Sequence, residues 1–140
     1  MQRDQPHAAA AAELVEQVGR LIYSSSFRSG LNPAQWSALR YFNGANRQAR
    51  TASAFARFHA TTKGTATQTI TALERKGFLQ RVPMPGDRRS RLLEVTQAGH
   101  ALLHQDPIGA LVDAITLLPL EQQQTFTACL ENIIRHIFHR

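Results

Sequence analysis

Thr62, Lys63, Thr65, Thr67, Gln68, Thr71 and Arg75 crowd into one short stretch of sequence. Hydroxyls, an amide and cations so spaced can hydrogen-bond base edges and phosphate oxygens. Between them, Ala66, Ile70 and Leu73 repeat at i, i+4 and i+7, which predicts a helix buried along one stripe. A helix made only for solubility would carry Glu, Lys and Arg on its other faces, because these lose little entropy in a helix. Threonine is the poorer choice there, but short side chains suit a helix that enters a major groove, where Thr and Gln reach base edges or a thymine methyl. The competing reading is a threonine-rich amphipathic helix with no partner. Downstream, Asp87, Arg88, Arg89 and Arg91 cluster at a turn. Arginines there fit the enhanced negative potential of a narrow minor groove, and Asp87 is placed to orient the Arg89 guanidinium through a fork-like pair. An ordinary charged turn is the alternative.

The elements that must position these groups are legible around them. Thr51 is an N-cap for a helix with Phe55 and Phe58 on one face. Only residues 59–61 separate it from the next helix, so the two cross steeply, as in a helix-turn-helix. Gly77 ends the second helix and residues 78–82 read as a strand. Two prolines and a glycine predict that residues 83–90 stay outside any ladder. Residues 91–96 return as a strand, with Leu93 and Val95 on one face and Glu94 and Thr96 on the other.

Three runs now stand together: Leu73-Glu74-Arg75-Lys76-Gly77-Phe78-Leu79-Gln80-Arg81, Asp87-Arg88-Arg89-Ser90, and Leu93-Glu94-Val95-Thr96-Gln97-Ala98-Gly99. In combination they resemble the signature of MarR-type winged-helix transcription regulators, in which Leu-Glu-x-x-Gly leads to an Asp-x-Arg wing and a Leu-Thr-x-x-Gly helix start. The resemblance extends more weakly to Leu31-Asn32-Pro33-Ala34-Gln35-Trp36 and the flanking helices. It implies a mainly α fold with a small β-hairpin wing: an N-terminal dimerisation helix over 1–30, a winged helix-turn-helix DNA-binding domain over 31–98, and C-terminal dimerisation helices over 99–140. It further implies a homodimer that mostly represses transcription, and a small-molecule effector or thiol oxidation that releases DNA. A ligand cleft between the DNA-binding lobe and the dimer arms is implied as well. The chain departs from the pattern at Gly64, where the family more often carries Ser or another side chain, and at Pro119, where a Ser or Thr cap is common.

At 140 residues the chain is one domain's worth, long enough to bury roughly 70% of its unfolded surface. Sixteen Lys and Arg against ten Asp and Glu give a net charge of +6, which favours a polyanionic partner. A single cysteine excludes an internal disulfide framework and any multi-cysteine metal site. No run is apolar enough to span a bilayer and residues 1–12 lack a signal-peptide core, so the expected location is cytoplasmic, with no membrane partner.

Residues 1–7 are polar and expected to fray. A helix is expected from Ala8 to near Ser29-Gly30, with Leu14, Val18, Leu21 and Ile22 on one stripe. Asn32-Pro33 then starts a helix that presents Trp36, Leu39 and Tyr41 or Phe42, with Trp36 as a core anchor. Arg47 and Arg50 read as solvated. Gln97 begins a helix towards Gln105 with Leu102 and Leu103 inward; Asp106-Pro107 breaks or kinks it, and the arm continues over 108–117. The last helix repeats Phe126, Cys129, Leu130, Ile133, Ile134, Ile137 and Phe138 at helical spacing, a face that needs a second chain to cover it.

Two such chains related by a twofold axis would read a pseudo-palindromic double-stranded operator. Thr65, Thr67, Gln68 and Thr71 are assigned to base edges, and Gln68 to a bidentate pair with adenine. Thr62 and Lys63 at the helix N-terminus are assigned to phosphate, Gly64 to close backbone approach or a weakened first turn, Arg75 to the DNA-facing surface, Arg89 to the minor groove, and Arg88 and Arg91 to phosphate or structure. No nucleophile with its base, carboxylate pair, metal cluster or phosphate loop has mechanistic spacing, so no enzyme activity and no cofactor are expected. His100 and His104 stand at a metal-compatible spacing with no third ligand evident, and no metal site is assigned. The alternatives are an interaction adaptor that has lost DNA, and a redox-sensing regulator working through Cys129, a residue expected buried and inert on its apolar stripe.

Overall fold

The computed structural model describes residues 5–139, without the side chains of Gln5, Pro6, Arg88 and Ser90. The chain forms two compact units, Met1–Asp106 and Pro107–Arg140. The first holds α1 (Gln5–Ser25), α2 (Pro33–Gly44), a 3-10 turn (Arg47–Ala49), α3 (Ala52–Phe58), α4 (Lys63–Arg75), β1 (Leu79–Met84), β2 (Asp87–Val95), α5 (Gln97–Leu102) and a 3-10 turn (Leu103–Gln105). The second holds α6 (Gly109–Thr116) and α7 (Leu120–Phe138).

Local side-chain chemistry sets most helix starts. Asn32 caps α2 in a reciprocal box with Gln35, and Pro33 occupies the first turn, where no backbone donor is needed. Thr51, Thr62 and Thr96 each accept a hydrogen bond from the backbone N–H three residues on, capping α3, α4 and α5. These helices and the hairpin enclose one core: Trp36, Ala38, Leu39 and Phe42 from α2, Phe55 and Ala56 from α3, Ala66, Ile70 and Leu73 from α4, and Leu79, Leu93 and Val95 from the strands. Gly99 is buried at the start of α5 because a Cβ there would collide with the Phe78 carbonyl and Val95.

Several boundaries differ from those predicted. Residues 1–4 of the segment expected to fray lie outside the described residues, and α1 is already helical at Gln5. It stops at Ser25, short of Gly30, because the Ser25 and Ser26 hydroxyls donate to the Ile22 carbonyl and the Ser26 N–H turns back to Tyr23. The reversal before α2 then uses positive φ at both Ser29 (57°) and Gly30 (78°). In the wing, the ladder continues past Pro83, which pairs with Arg91, and Met84 pairs with Asp87 across Pro85-Gly86. In a two-stranded sheet alternate N–H groups face outward, so a proline at such a position forfeits no ladder bond. The register slips between Pro83 and Met84, which face Arg91 and Asp87 in turn.

The helix after the wing tightens to a 3-10 turn at Leu103 and breaks at Asp106, as expected of a following proline. The Asp106 carboxylate accepts two hydrogen bonds from Arg40 of α2, at 2.7 and 2.8 Å. In the second unit neither α6 nor α7 buries a residue: Phe126, Ile133, Ile134, Ile137 and Phe138 are between 39% and 61% exposed. Pro119 precedes α7 without a side-chain cap; instead the Gln123 amide donates to the Leu118 carbonyl at 2.8 Å. Among the described residues no helix is long and apolar enough to cross a membrane.

Candidate nucleic-acid interface

The burial of Ala66, Ile70 and Leu73 fixes the rotation of α4 about its axis. Thr65, Gln68, Thr71 and Arg75 then fall on the opposite side and are all exposed, one above another over three turns. Thr67 is half-buried at the margin of that face. Gln68 has no hydrogen-bond partner among the described residues, so its amide is open to a base edge. Lys63 is exposed in the first turn.

Thr62 is placed at the helix N-terminus as expected, with its hydroxyl already engaged: it accepts the Thr65 N–H at 3.1 Å and lies 3.0 Å from the Thr65 hydroxyl. The free donors of this helix end are therefore the other first-turn N–H groups, which carry the positive end of the helix dipole. At Gly64 a Cβ would meet only the Thr62 hydroxyl at 4.0 Å, so nothing within the chain demands glycine.

The hairpin carries the remaining candidates. Arg89 and Arg91 are exposed; the Arg88 side chain lies outside the described ones. Asp87 meets Arg89 through the backbone, accepting its N–H at 2.9 Å, so the carboxylate shapes the turn instead of forking onto the guanidinium. The reason is reach: two residues on, the backbone N–H lies nearer than the end of a long side chain. Arg91 pairs with Pro83 in the ladder.

Three positioning contacts were not anticipated. Glu74 at the end of α4 pairs with Arg81 of β1 at 3.1 Å and ties the helix to the root of the wing. Opposite charges flanking the Gly77 turn were a signal that could have found it. Lys76 donates to the Gly30 carbonyl at 2.6 Å and to the Gln35 side chain at 3.1 Å, a long-range anchor with no local trace. Arg50, expected solvated, is half-buried: its Nε donates to the Ala45 carbonyl, and its own carbonyl accepts the Leu93 N–H at 2.8 Å. Beside α3, the Tyr41 hydroxyl donates to the Ala49 carbonyl at 2.8 Å. Burial pushes its pKa upward, against a smaller lowering by Arg57.

The sensing candidates stand on other elements. His100 lies exposed on α5 and His104 exposed in the following 3-10 turn. Cys129 is exposed on α7, because its unit offers no neighbour to bury it. No group of three His, Cys, Asp or Glu able to hold a metal occurs among the described residues.

Residues 29–90 match the model of the MarR family. The fold is similar to that of a MarR/EmrR family transcriptional regulator from Acinetobacter sp. ADP1, at 14% identity and a TM-score of 0.71 over 98% of this chain and 99% of that one. It is also similar to wild-type apo MarR from E. coli, at 21% identity and a TM-score of 0.63 over 87% and 95%. A third similar structure is CouR from Rhodococcus jostii RHA1 bound to p-coumaroyl-CoA, at 21% identity and a TM-score of 0.68 over 86% and 88%. No curated protein matches.

Proposed function

We propose that this chain, whose residues 29–90 match the model of the MarR family, is a winged-helix transcription regulator and not an enzyme, and that it acts as a homodimeric, sequence-specific repressor in the cytoplasm. It binds a pseudo-palindromic operator and leaves it when a small ligand binds. The observation that carries this reading is the exposed face of Thr65, Gln68, Thr71 and Arg75, set opposite the buried stripe of α4.

In this reading Thr65, Thr67, Gln68 and Thr71 meet base edges, and Gln68 makes the bidentate contact to adenine. Lys63, Thr62 and the first-turn amides hold phosphate, with Gly64 letting the backbone come close. Arg75, Arg88 and Arg91 add phosphate contacts, Asp87 shapes the wing turn, and Arg89 enters the minor groove. One helix offers too few contacts to select a site in a genome, so two are needed, about ten base pairs apart. The apolar faces of α1 and α7 support the pairing: Leu14, Val18 and Leu21 on the first, and Ile133, Ile134 and Ile137 on the second, are all exposed in the single chain. Release by a ligand is supported by the p-coumaroyl-CoA held by the similar CouR.

Gel shifts on the protected promoter test the assignment. Arg89→Ala should weaken operator binding about tenfold or more at moderate salt. Gln68→Ala should relax one position of the site. Lys63→Ala should weaken all sequences alike and lower the salt slope by about one. Unchanged affinity in Arg89→Ala removes the wing from the reading.

A further inference from the structure

Only two side chains of this protein carry an ε-amine, Lys63 and Lys76; the other fourteen cations are arginines. A guanidinium keeps its proton and is no nucleophile towards an acyl carbon, whereas the unprotonated fraction of a lysine amine is one. The fold treats the two amines differently. Lys76, at the end of α4, donates to the Gly30 carbonyl at 2.6 Å and to the Gln35 side chain at 3.1 Å. It must release both bonds before its nitrogen can attack anything. Lys63, in the first turn of α4, is exposed and makes no ion pair and no side-chain hydrogen bond among the described residues.

Two further observations set Lys63 apart. No Asp or Glu occurs between Glu16 and Glu74, so α2, α3 and all but the last turn of α4 carry no carboxylate to neutralise the amine. Such a stretch draws in anionic reagents. The next residue, Gly64, has no side chain, and even a Cβ there would meet only the Thr62 hydroxyl at 4.0 Å. The fold itself asks for no glycine at this position; an open flank beside the amine is a use that glycine serves.

We propose that Lys63 is a modification site, at which a small activated acyl group, carried as an acyl phosphate or an acyl thioester, turns the amine into an amide and removes its charge. The unprotonated Lys63 Nζ attacks the acyl carbon and forms the N–C bond. The C–O bond to phosphate, or the C–S bond to the thiol, breaks, and the leaving group takes the electron pair. The proton lost from nitrogen passes to water. The product is neutral and keeps one N–H donor, so the first turn of α4 loses its only side-chain cation. The effect on DNA rests on the operator reading above, in which Lys63 holds phosphate; the position of the modification does not.

The full chain is incubated without DNA, with acetyl phosphate in one arm and acetyl-CoA in the other, and peptide mass mapping follows both lysines over time. Lys63 should be acetylated about tenfold or more faster than Lys76 in at least one arm, which names the donor. The acetylated chain is then taken into gel shifts on the protected promoter. Affinity should fall about tenfold per modified chain at about 0.1 M salt, and the salt slope should drop by about one. In Lys63→Arg the affinity, whatever its starting value, should not respond to the donor, and in Lys76→Arg the response should persist. Equal rates at the two lysines, a faster Lys76, or an unreactive Lys63 in both arms would overturn the site. Acetylation of Lys63 that leaves affinity unaltered, or a loss that survives Lys63→Arg, would overturn the switch. Selective acetylation of a chain that bound no promoter before treatment would support the site and overturn the operator reading instead.

Discussion

Helices α2 and α7 are written in the same pattern, apolar residues at steps of three and four, yet they end in opposite states of burial. Trp36, Leu39 and Phe42 are at most 1% exposed, while Ile133, Ile134 and Ile137 leave half or more of their surface open. The difference lies in what each unit can bring to the face. Short connections fold α3, α4 and the hairpin around α2, whereas α7 has only α6 within its unit. Periodicity says which face wants cover; it does not say whether the cover is on the same chain.

That contrast can be broken from either side. The largest effect is expected on α7. Ile133→Asp combined with Ile134→Asp places four charges across the proposed twofold interface, and sedimentation should show dimerisation weakened by about four powers of ten, with Trp36 fluorescence unchanged. A double variant that remains a dimer at micromolar concentration would show that α7 is covered by something other than a second copy. In the sealed region, Leu39→Ala should cost about 2–5 kcal/mol in urea unfolding, since the cavity has little room to collapse. The same truncation at Leu117, 86% exposed, should cost almost nothing.

Asp106→Asn tests the end of the sealed unit. It removes one charge from the bidentate pair with Arg40, and because Arg40 is about one-third exposed, the expected loss is only about 1–2 kcal/mol. Thr62→Ala deletes one cap and should cost about 1 kcal/mol. Smallest is the alkaline effect of Tyr41. Burial raises its folded pKa above the unfolded value, so its contribution is complete below the unfolded pKa, near 10, and is lost as pH rises through the folded one. Urea midpoints of wild type should therefore fall above pH 10 more steeply than those of Tyr41→Phe.

The parts of the fold legible in sequence were those decided by near neighbours. Asn32-Pro33, Thr51, Thr62 and Thr96 announce helix starts because a cap bonds a backbone group three residues away. The stripe of Ala66, Ile70 and Leu73 oriented α4, and with it the exposed Gln68 face. What stayed hidden was settled at a distance or by geometry. Lys76 is anchored on Gly30 and Gln35 across more than forty residues of chain, and nothing around position 76 hints at it. Pro83 reads as a ladder breaker until the sheet is known to have two strands, both of them edges. The exposure of Cys129 depends on what its unit leaves uncovered, a fact absent from its helical spacing.

The collision that forces glycine at position 99 has a consequence for genetics. Any side chain there would pry the start of α5 from the root of the wing and disturb the hairpin that carries Arg89, although position 99 itself is buried within the fold. If the protein is the repressor proposed above, a screen for mutants that no longer silence a reporter should recover Gly99 alongside Gln68 and Arg89. Only the thermal behaviour of the purified protein would separate the one that holds the scaffold from the two proposed to read the target.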